Sequence, residues 1–336
     1  MNDYGGIAMR LINVTEYNHN RMVLARPVLD SKRRVLLAAG RTIDPKIKDR
    51  LINMGIKFLF VEDEVSKGIS MDDMLDMPTW TDSIQVVKDF YDQVKAHKQD
   101  KKKPRPEIRN IQQIAKKLTD EVKVRPLLVL IPSGTIATEL QPYAHAVNVT
   151  ILSLLTAKKL GYGETKLKDL AIGALLHDIG KALTDNYEEH SEVGFNYLRD
   201  VSQMSIVSAH VAYQHHEKVD GSGFPRMIKG ESVLEFGQIC GVANMYENFI
   251  NIDHLPPHEA MEGVMAASDR YYAYAVVRAF SHSVPTYPPG TKVVVQNHDA
   301  IVTRIHKHLQ RPFVRIIEKN KELDLSDHPT LMIKPE

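Results

Sequence analysis

Residues 171–181 read AIGALLHDIGK and join an apolar run directly to the polar pair His177 and Asp178. The apolar run is typical of a buried helix, so an ionised aspartate at its end would be costly unless a cation compensates its charge. The pair therefore favours a metal ligand over a hydrogen-bonded core residue. Lys181 follows His177 by about one helical turn and could neutralise a phosphate oxygen.

More histidines lie on both sides of this pair, in a stretch with helical periodicity. They are His145, His190 and the adjacent residues His215 and His216. Imidazole and carboxylate together suit iron, manganese or zinc. Neighbouring residues of a helix point about 100° apart, so each member of a pair can bind a different ion. Two ions about 3.5–4 Å apart would clamp a phosphodiester and activate water.

An imidazole that binds a metal needs a hydrogen-bond partner for its second nitrogen. Glu217, next to His216, is a candidate for that role. A lone histidine in an apolar helix is more often a hydrogen-bonded core residue. We interpret His210 in that way, and the histidines after residue 250 lie in polar or loop contexts.

Composition restricts the classes of function. Of 336 residues, 43% are hydrophobic and 25% are charged, and the formal net charge is +1. These values predict a soluble globular protein without the field that recruits a nucleic acid duplex or an anionic membrane. Cys240 is the only cysteine, which excludes an intrachain disulfide and a cysteine-based zinc site. The first residues lack the apolar core of a signal peptide and no apolar run could span a membrane, so we expect a cytoplasmic protein.

The chain is predicted to be mainly α and to have four parts. They are a small α/β unit (1–64), a helical and charged connector (65–121), a helical domain (122–283) and a small β module (284–336). In the first part, Met22–Leu29 and Val35–Ala38 are predicted strands. Asp44 is expected to cap a helix that Gly55 ends.

Proline and glycine residues also mark the ends of predicted elements in the later parts. Pro104 and Pro106 interrupt the connector, whose basic stretch 95–109 is interpreted as a solvated linker, with phosphate binding as the alternative. Gly161 is expected to end a helix of the helical domain. In the β module, residues 292–295, 300–305 and 312–317 are predicted strands.

Four motifs, in order, resemble the HD-GYP family, a branch of the HD phosphohydrolases. LHDIGK at 176–181 resembles its HD core, and HHEKVDGSGFP at 215–225 resembles its HHExxDGxGYP signature. HAVNV at 145–149 and HSEVG at 190–194 resemble two further histidine-bearing helices. The similarity covers most of residues 125–250.

This resemblance implies an HD-type helical bundle with metal ions, usually iron or manganese, that hydrolyses cyclic di-GMP to the linear dinucleotide pGpG or to GMP. By position, the implied ligands are His145, His177, Asp178, His190, His215, His216 and, in place of a closing aspartate, Asn244. Lys181 would contact the scissile phosphate and act with Asp178 in catalysis. The implied substrate loop contains Gly221, Gly223, Phe224 and Pro225.

The chain departs from the family pattern at several positions. Gln141 replaces a glutamate near the first histidine, which predicts two divalent ions rather than three and leaves Gln141 a role beside the ligands. Asn244 keeps a carbonyl oxygen but not the negative charge of aspartate. Phe224 lacks the hydroxyl of the signature tyrosine. Residues 248–253 replace a basic stretch, and the short connection 181–190 predicts an open lid.

Three hypotheses follow from this pattern. The first is a two-metal phosphodiesterase that hydrolyses cyclic di-GMP with a metal-activated hydroxide. The second is a catalytically impaired member that binds cyclic di-GMP, another nucleotide or a partner protein and signals through its flanking parts. The third is an HD phosphohydrolase that acts on another nucleotide. Each hypothesis is compatible with a homodimer, which is predicted as a possible assembly.

Overall fold

The computed structural model describes residues 8–69, 71, 73–125, 127–306 and 308–335. The described residues form ten α-helices and ten short strands, which confirms the prediction of a mainly α chain with small sheets near its two ends.

By internal contacts the chain divides into two compact units. One comprises Met1–Met74, Ile131–Gln141 and Pro285–Glu336, and the other comprises Leu75–Leu130 and Pro142–Val284. The sequence division into four parts places the two ends of the chain in separate modules. The contacts group these two ends in one unit, and the four-part division stays a prediction.

The first part of the mixed unit contains five strands and one helix. They are β1 (Arg10–Asn13), β2 (Val23–Leu24), β3 (Val28–Leu29), β4 (Val35–Leu37), α1 (Pro45–Asn53) and β5 (Phe58–Glu62). An antiparallel sheet has the order β1-β5-β2, and β3 pairs with β4. Its core contains Ile12, Leu24, Leu51 and Val61, all at most 3% exposed.

The local signals of this part are confirmed for the helix and only partly for the strands. The Asp44 side chain accepts a hydrogen bond from Ile47 N at 2.8 Å, and Gly55 follows α1 with a φ of +74°. The single strand predicted over Met22–Leu29 is two strands, β2 and β3, in different sheets. Pro27 lies between them and has no N–H with which to continue a ladder.

The C-terminal part of the same unit is a five-stranded antiparallel sheet of order β10-β6-β7-β8-β9. Its strands are β6 (Lys292–Val295), β7 (His298–Arg304), β8 (Phe313–Ile316), β9 (Lys321–Asp324) and β10 (Ile333–Pro335). The three predicted strands are confirmed, and the two missed strands are short and mostly polar at their exposed positions. Arg315 of β8 donates to the carbonyl oxygens of Val65 (2.5 Å) and Lys67, which joins the two ends of the chain.

The helical unit contains the other nine helices of the described chain. They are α2 (Met77–Gln99), α3 (Arg109–Val124), α4 (Gln141–Lys159), α5 (Glu164–Leu175), α6 (His190–Leu198), α7 (Ile206–Gln214), α8 (Glu235–Asn251), α9 (Pro257–Ala266) and α10 (Tyr274–Ser281). Gly161 follows α4 with a φ of +82°, as predicted.

Residues 75–121 of the segment interpreted as a connector belong to the helical unit. Trp80 of α2 is 1% exposed, and its Nε1 donates to Asn148 Oδ1 of α4 at 3.1 Å. Ile111 and Leu118 of α3 are also buried. The many charged residues of this segment lie on the outer faces, so its average composition conceals two amphipathic helices.

The described residues include no helix with the length and apolar character needed to cross a bilayer.

Candidate metal centre

The predicted ligands come from different helices and meet inside the helical unit. His145 lies on α4, His177 and Asp178 follow the end of α5, and His190 begins α6. His215 and His216 follow the end of α7. Except for His145 and His216, which are partly exposed, these residues are at most 7% exposed. We call these six residues the metal centre.

Two sets of donor atoms overlap at Asp178. His145, His177 and Asp178 form one set, and Asp178, His190, His215 and His216 form the other. Within each set, one donor atom per residue lies within 4.8 Å of every other. The Oδ1 atom of Asp178 is 3.2 Å from His190 Nε2 and 3.6 Å from His215 Nε2. A carboxylate shared in this way suits two neighbouring ions.

Backbone carbonyls fix the orientation of three imidazoles. His177 Nδ1 is 2.8 Å from Ala174 O, and His215 Nδ1 is 2.9 Å from Ala212 O. Both carbonyls belong to the last turn of a helix, where carbonyl oxygens have no N–H four residues later to pair with and can accept from a side chain. His190 Nδ1 contacts the carbonyl oxygen of Tyr187. Each contact directs the Nε2 atom toward the centre, the arrangement expected of metal-binding histidines.

His145 is oriented by a carboxylate that the sequence analysis did not single out. Its Nδ1 is 2.5 Å from Glu247 Oε2, and Glu247 is 2% exposed. Asn251 Nδ2 donates to Glu247 Oε1 at 2.7 Å, and Asn148 Nδ2 lies 3.3 Å from the same oxygen. Only the packing of α8 against α4 brings these residues together, so sequence spacing alone could not reveal the pair.

Two buried polar atoms of the centre indicate whether it fits a cation. His177 Nε2 and Asp178 Oδ1 form no hydrogen bond of acceptable geometry with the described residues, although His190 Nε2 lies 3.2 Å from this oxygen of Asp178. A buried acceptor without a partner costs free energy that a bound cation would offset. Neutral imidazole nitrogens and a carboxylate are donors that suit first-row divalent ions. The donor set therefore fits a metal.

The protonation states of His177, His216 and Asp178 agree with this fit. Burial lowers the pKa of His177 and of His216 well below the usual value for histidine, which keeps these rings neutral. Burial alone would raise the pKa of Asp178, but the surrounding imidazoles and Lys181 lower it well below its usual range. Burial also opposes the charged form of His145, but Glu247 more than offsets this effect and raises the pKa of His145.

Lys181 lies beside the centre, where the sequence predicts it. Its Nζ donates to Asp178 Oδ2 at 2.6 Å, and its side chain is 47% exposed. The ammonium group is therefore close to the shared carboxylate and open to an incoming anion.

Two further predicted residues, Asn244 and Gln141, make other contacts. Asn244 Oδ1 accepts a bond from Asn248 Nδ2 at 3.2 Å. Gln141 Nε2 donates to Gly55 O and Ile136 O, within the mixed unit. The roles of Asn244 and Gln141 beside an ion stay predictions.

Among the described residues, the Glu217 carboxylate accepts hydrogen bonds from backbone N–H groups rather than from an imidazole. It is fully buried, and its carboxylate accepts from Arg226 N at 2.8 Å and from Ile228 N at 3.2 Å. It thereby fixes the segment that follows the substrate loop. Adjacency to His216 in sequence suggested a different partner because side-chain direction is not visible in sequence.

The substrate loop, residues 221–225, packs closely on the histidine pair. A Cβ atom on Gly223 would lie 2.3 Å from His216 O, so only glycine fits. Gly221 has a φ of +83°, and the Phe224–Pro225 peptide is cis. The Phe224 ring stacks on His216, with centroids 4.4 Å apart and planes inclined by 21°.

Known proteins show similarity to this region. Residues 143–248 match the model of the HD domain family. This segment is therefore similar to an HD domain. The chain is 29% identical over 163 residues to a cyclic di-GMP phosphodiesterase of Thermotoga maritima, covering 42% of this chain and 44% of that protein. It is 27% identical over 174 residues to a cyclic di-GMP phosphodiesterase of Pseudomonas aeruginosa, covering 46% and 42%.

A solved structure is also similar to this chain. Bd1817, an HDG"Y"P protein from Bdellovibrio bacteriovorus, aligns with a TM-score of 0.49 and 14% identity, covering 81% of this chain and 98% of that one. The HD domain match and the relatives' names confirm the predicted resemblance to the HD-GYP family. The chain spans less than half the length of each of these two curated relatives.

Proposed function

We propose that this HD domain is a metal-dependent phosphodiesterase that hydrolyses cyclic di-GMP to pGpG or GMP. The observation that carries the proposal is the pair of donor sets that share Asp178, with Lys181 open to solvent beside them. Two positive centres and an ammonium group at this spacing suit a phosphodiester, which is anionic and must gain negative charge in the reaction.

Divalent ions at such a centre polarise a phosphoryl oxygen and lower the pKa of water. The protein supplies the rest. Asp178 keeps its negative charge, and the fixed Nδ1 contacts of the histidines leave Nε2 atoms directed inward. Lys181 is placed to bind a non-bridging phosphate oxygen. Hydrolysis forms one bond from water oxygen to phosphorus and breaks one ester bond, and the proton from water leaves with the released hydroxyl.

Iron or manganese is the proposed metal, with two ions in each chain. The donor set of five histidines and one carboxylate contains no thiolate, and it suits iron or manganese as well as zinc. His145 and His177 would bind one ion, and His190, His215 and His216 the other, with Asp178 between them. The carbonyl of Asn244 is proposed as a further ligand.

The relatives support the substrate class, since the two described above are named cyclic di-GMP phosphodiesterases. The substrate of this chain is then cyclic di-GMP or a related cyclic dinucleotide. We also infer a cytoplasmic location, supported by the single cysteine, which is free and buried. A homodimer stays a prediction.

A turnover assay tests the proposed function. The full chain is purified anaerobically, loaded with iron or with manganese, and incubated with cyclic di-GMP while pGpG and GMP are followed by chromatography. We expect product with a loaded protein and none after removal of the metal with a chelator. Absence of product with both metals would reject the phosphodiesterase, and product from 3′3′-cGAMP alone would change the substrate.

One observation favours a second candidate function, a domain that binds cyclic di-GMP without hydrolysing it. Asn244 has no negative charge, and its Oδ1 already accepts from Asn248. A lower affinity for the metal ion would leave a domain that binds the nucleotide but does not hydrolyse it. Calorimetry with cyclic di-GMP separates this case, since it predicts binding by a protein that forms no product.

A further inference from the structure

Tyr187 is an aromatic side chain at the edge of the metal centre that none of the predicted roles includes. It lies in the short connection 181–190, and it is 56% exposed. An open lid is expected in this connection, and the Tyr187 ring in it contacts two histidines of the metal centre. Its centroid is 5.2 Å from that of His190 and 5.5 Å from that of His216.

The ring is also close to two groups predicted to bind substrate. Lys181 Nζ is 5.7 Å from the Tyr187 ring centroid, and the Phe224 ring centroid is also 5.7 Å from it. The hydroxyl oxygen of Tyr187 is 3.5 Å from His216 Nε2, the outer limit of a hydrogen bond. A phosphate that reaches Lys181 and the metal centre would therefore meet this hydroxyl.

The connection that carries Tyr187 is well fixed by its own hydrogen bonds. Asn186 Nδ2 donates to Glu189 Oε1 at 2.8 Å, and Asn186 Oδ1 accepts from Glu188 N at 3.1 Å. The carbonyl of Tyr187 contacts His190 Nδ1, so the same residue orients a predicted ligand. A side chain on such a support is positioned before substrate arrives, which lowers the entropy lost on binding.

We propose that Tyr187 is a substrate-binding residue whose hydroxyl donates a hydrogen bond to the phosphodiester, in place of the hydroxyl that Phe224 lacks. This inference rests on the proposed function and names one more residue of the same site. The hydroxyl comes from a different segment of the chain but lies beside the same histidine on which Phe224 stacks.

The test compares Tyr187→Phe with the wild-type chain in its manganese-loaded form. The variant keeps the ring and removes one donor to a charged group, so we expect kcat/KM for cyclic di-GMP to fall about tenfold to a hundredfold. Manganese content should not change. Tyr274→Phe is the matched control, because Tyr274 is 55% exposed and lies on α10; we expect wild-type kcat/KM for it.

Affinity is measured in parallel by calorimetry with a non-hydrolysable phosphorothioate analogue of cyclic di-GMP. If the wild type binds but does not turn over, the phosphodiesterase is rejected, and a weaker affinity of Tyr187→Phe still supports this inference. Equal affinity and equal kcat/KM in wild type and Tyr187→Phe would overturn it. A wild type that neither binds nor hydrolyses would overturn both proposals.

A double variant tests whether the two hydroxyls are equivalent. Tyr187→Phe with Phe224→Tyr returns one hydroxyl to the site from the loop side. We expect it to recover part of the kcat/KM lost in Tyr187→Phe. A double variant no better than Tyr187→Phe would overturn the replacement of one hydroxyl by the other.

Discussion

The metal centre and the rim of the site differ in how their side chains are fixed. In the centre, most side chains are buried, and the Nδ1 atoms of four histidines contact a carbonyl or a carboxylate. The rim consists of Lys181, Tyr187 and the loop 221–225, and its polar side chains are about half exposed. The departures at Phe224 and in the short connection 181–190 belong to this rim.

The comparison indicates that binding of metal and choice of substrate are separable. The orientation of His177 and His215 depends on carbonyls three residues earlier, at the ends of their own helices. Neither of those carbonyls belongs to the rim. A chain can therefore keep a competent centre while the groups that select the nucleotide change.

The largest effect is expected for Asp178→Asn, which removes the only carboxylate common to both donor sets. Loss of a ligand shared by two ions costs several kcal/mol of transition-state stabilisation, so we expect turnover to fall at least about a thousandfold. Metal content, measured by mass spectrometry, should fall as well. Asp120→Asn is the control, since Asp120 forms an exposed ion pair with Lys116. If the Asp178→Asn variant kept both metal and turnover, Asp178 would not be a metal ligand.

Much of this centre and of the fold was predictable because the signals in the sequence are local. The apolar run before His177 and Asp178 identifies a buried charge, and helix ends such as those near Asp44 and Gly161 follow capping chemistry. The strands β6 to β8 lie where short runs of β-branched residues predict them. These features depend on residues within a few positions of each other.

The missed features depend on contacts between distant segments. Glu247 reaches His145 only through the packing of α8 against α4, and Glu217 turns toward the backbone of Arg226. Arg315 joins the C-terminal sheet to the segment near Val65 across about 250 residues of chain. No periodicity or capping motif in one sequence encodes such a partner.

A smaller effect, confined to one part of the centre, is expected for Glu247→Gln. The variant keeps an oxygen acceptor near His145 but loses the charge that raises the basicity of the ring. Removal of such a partner lowers metal affinity about tenfold to a hundredfold. Calorimetric titration with Mn²⁺ should show weaker binding at the set that contains His145 and unchanged binding at the other.

The control for this change is Glu262→Gln, an exposed glutamate on α9. It removes the same charge from the chain without altering a ligand. If Glu247→Gln weakened both donor sets equally, the two sets would act as one site rather than as two that share Asp178.

The smallest effect on metal is expected for Gly223→Ala, which changes the rim alone. The added Cβ would meet His216 O at 2.3 Å and Lys218 N at 2.5 Å, both backbone atoms that must shift. Overpacking of this kind lowers the free energy of unfolding by about 1–3 kcal/mol. We expect a lower Tm and weaker binding of cyclic di-GMP, with metal content equal to the wild type.

Ser222→Ala is the matched control, because Ser222 is an exposed residue of the same loop and receives the same side chain. Its free energy of unfolding should stay within about 0.5 kcal/mol of the wild type. Gly223 contacts the backbone of the segment that carries His216, so it is the rim position best placed to disturb a ligand. If metal were lost together with nucleotide binding in Gly223→Ala, the centre would depend on the rim, and substrate selection could not change without loss of the ions.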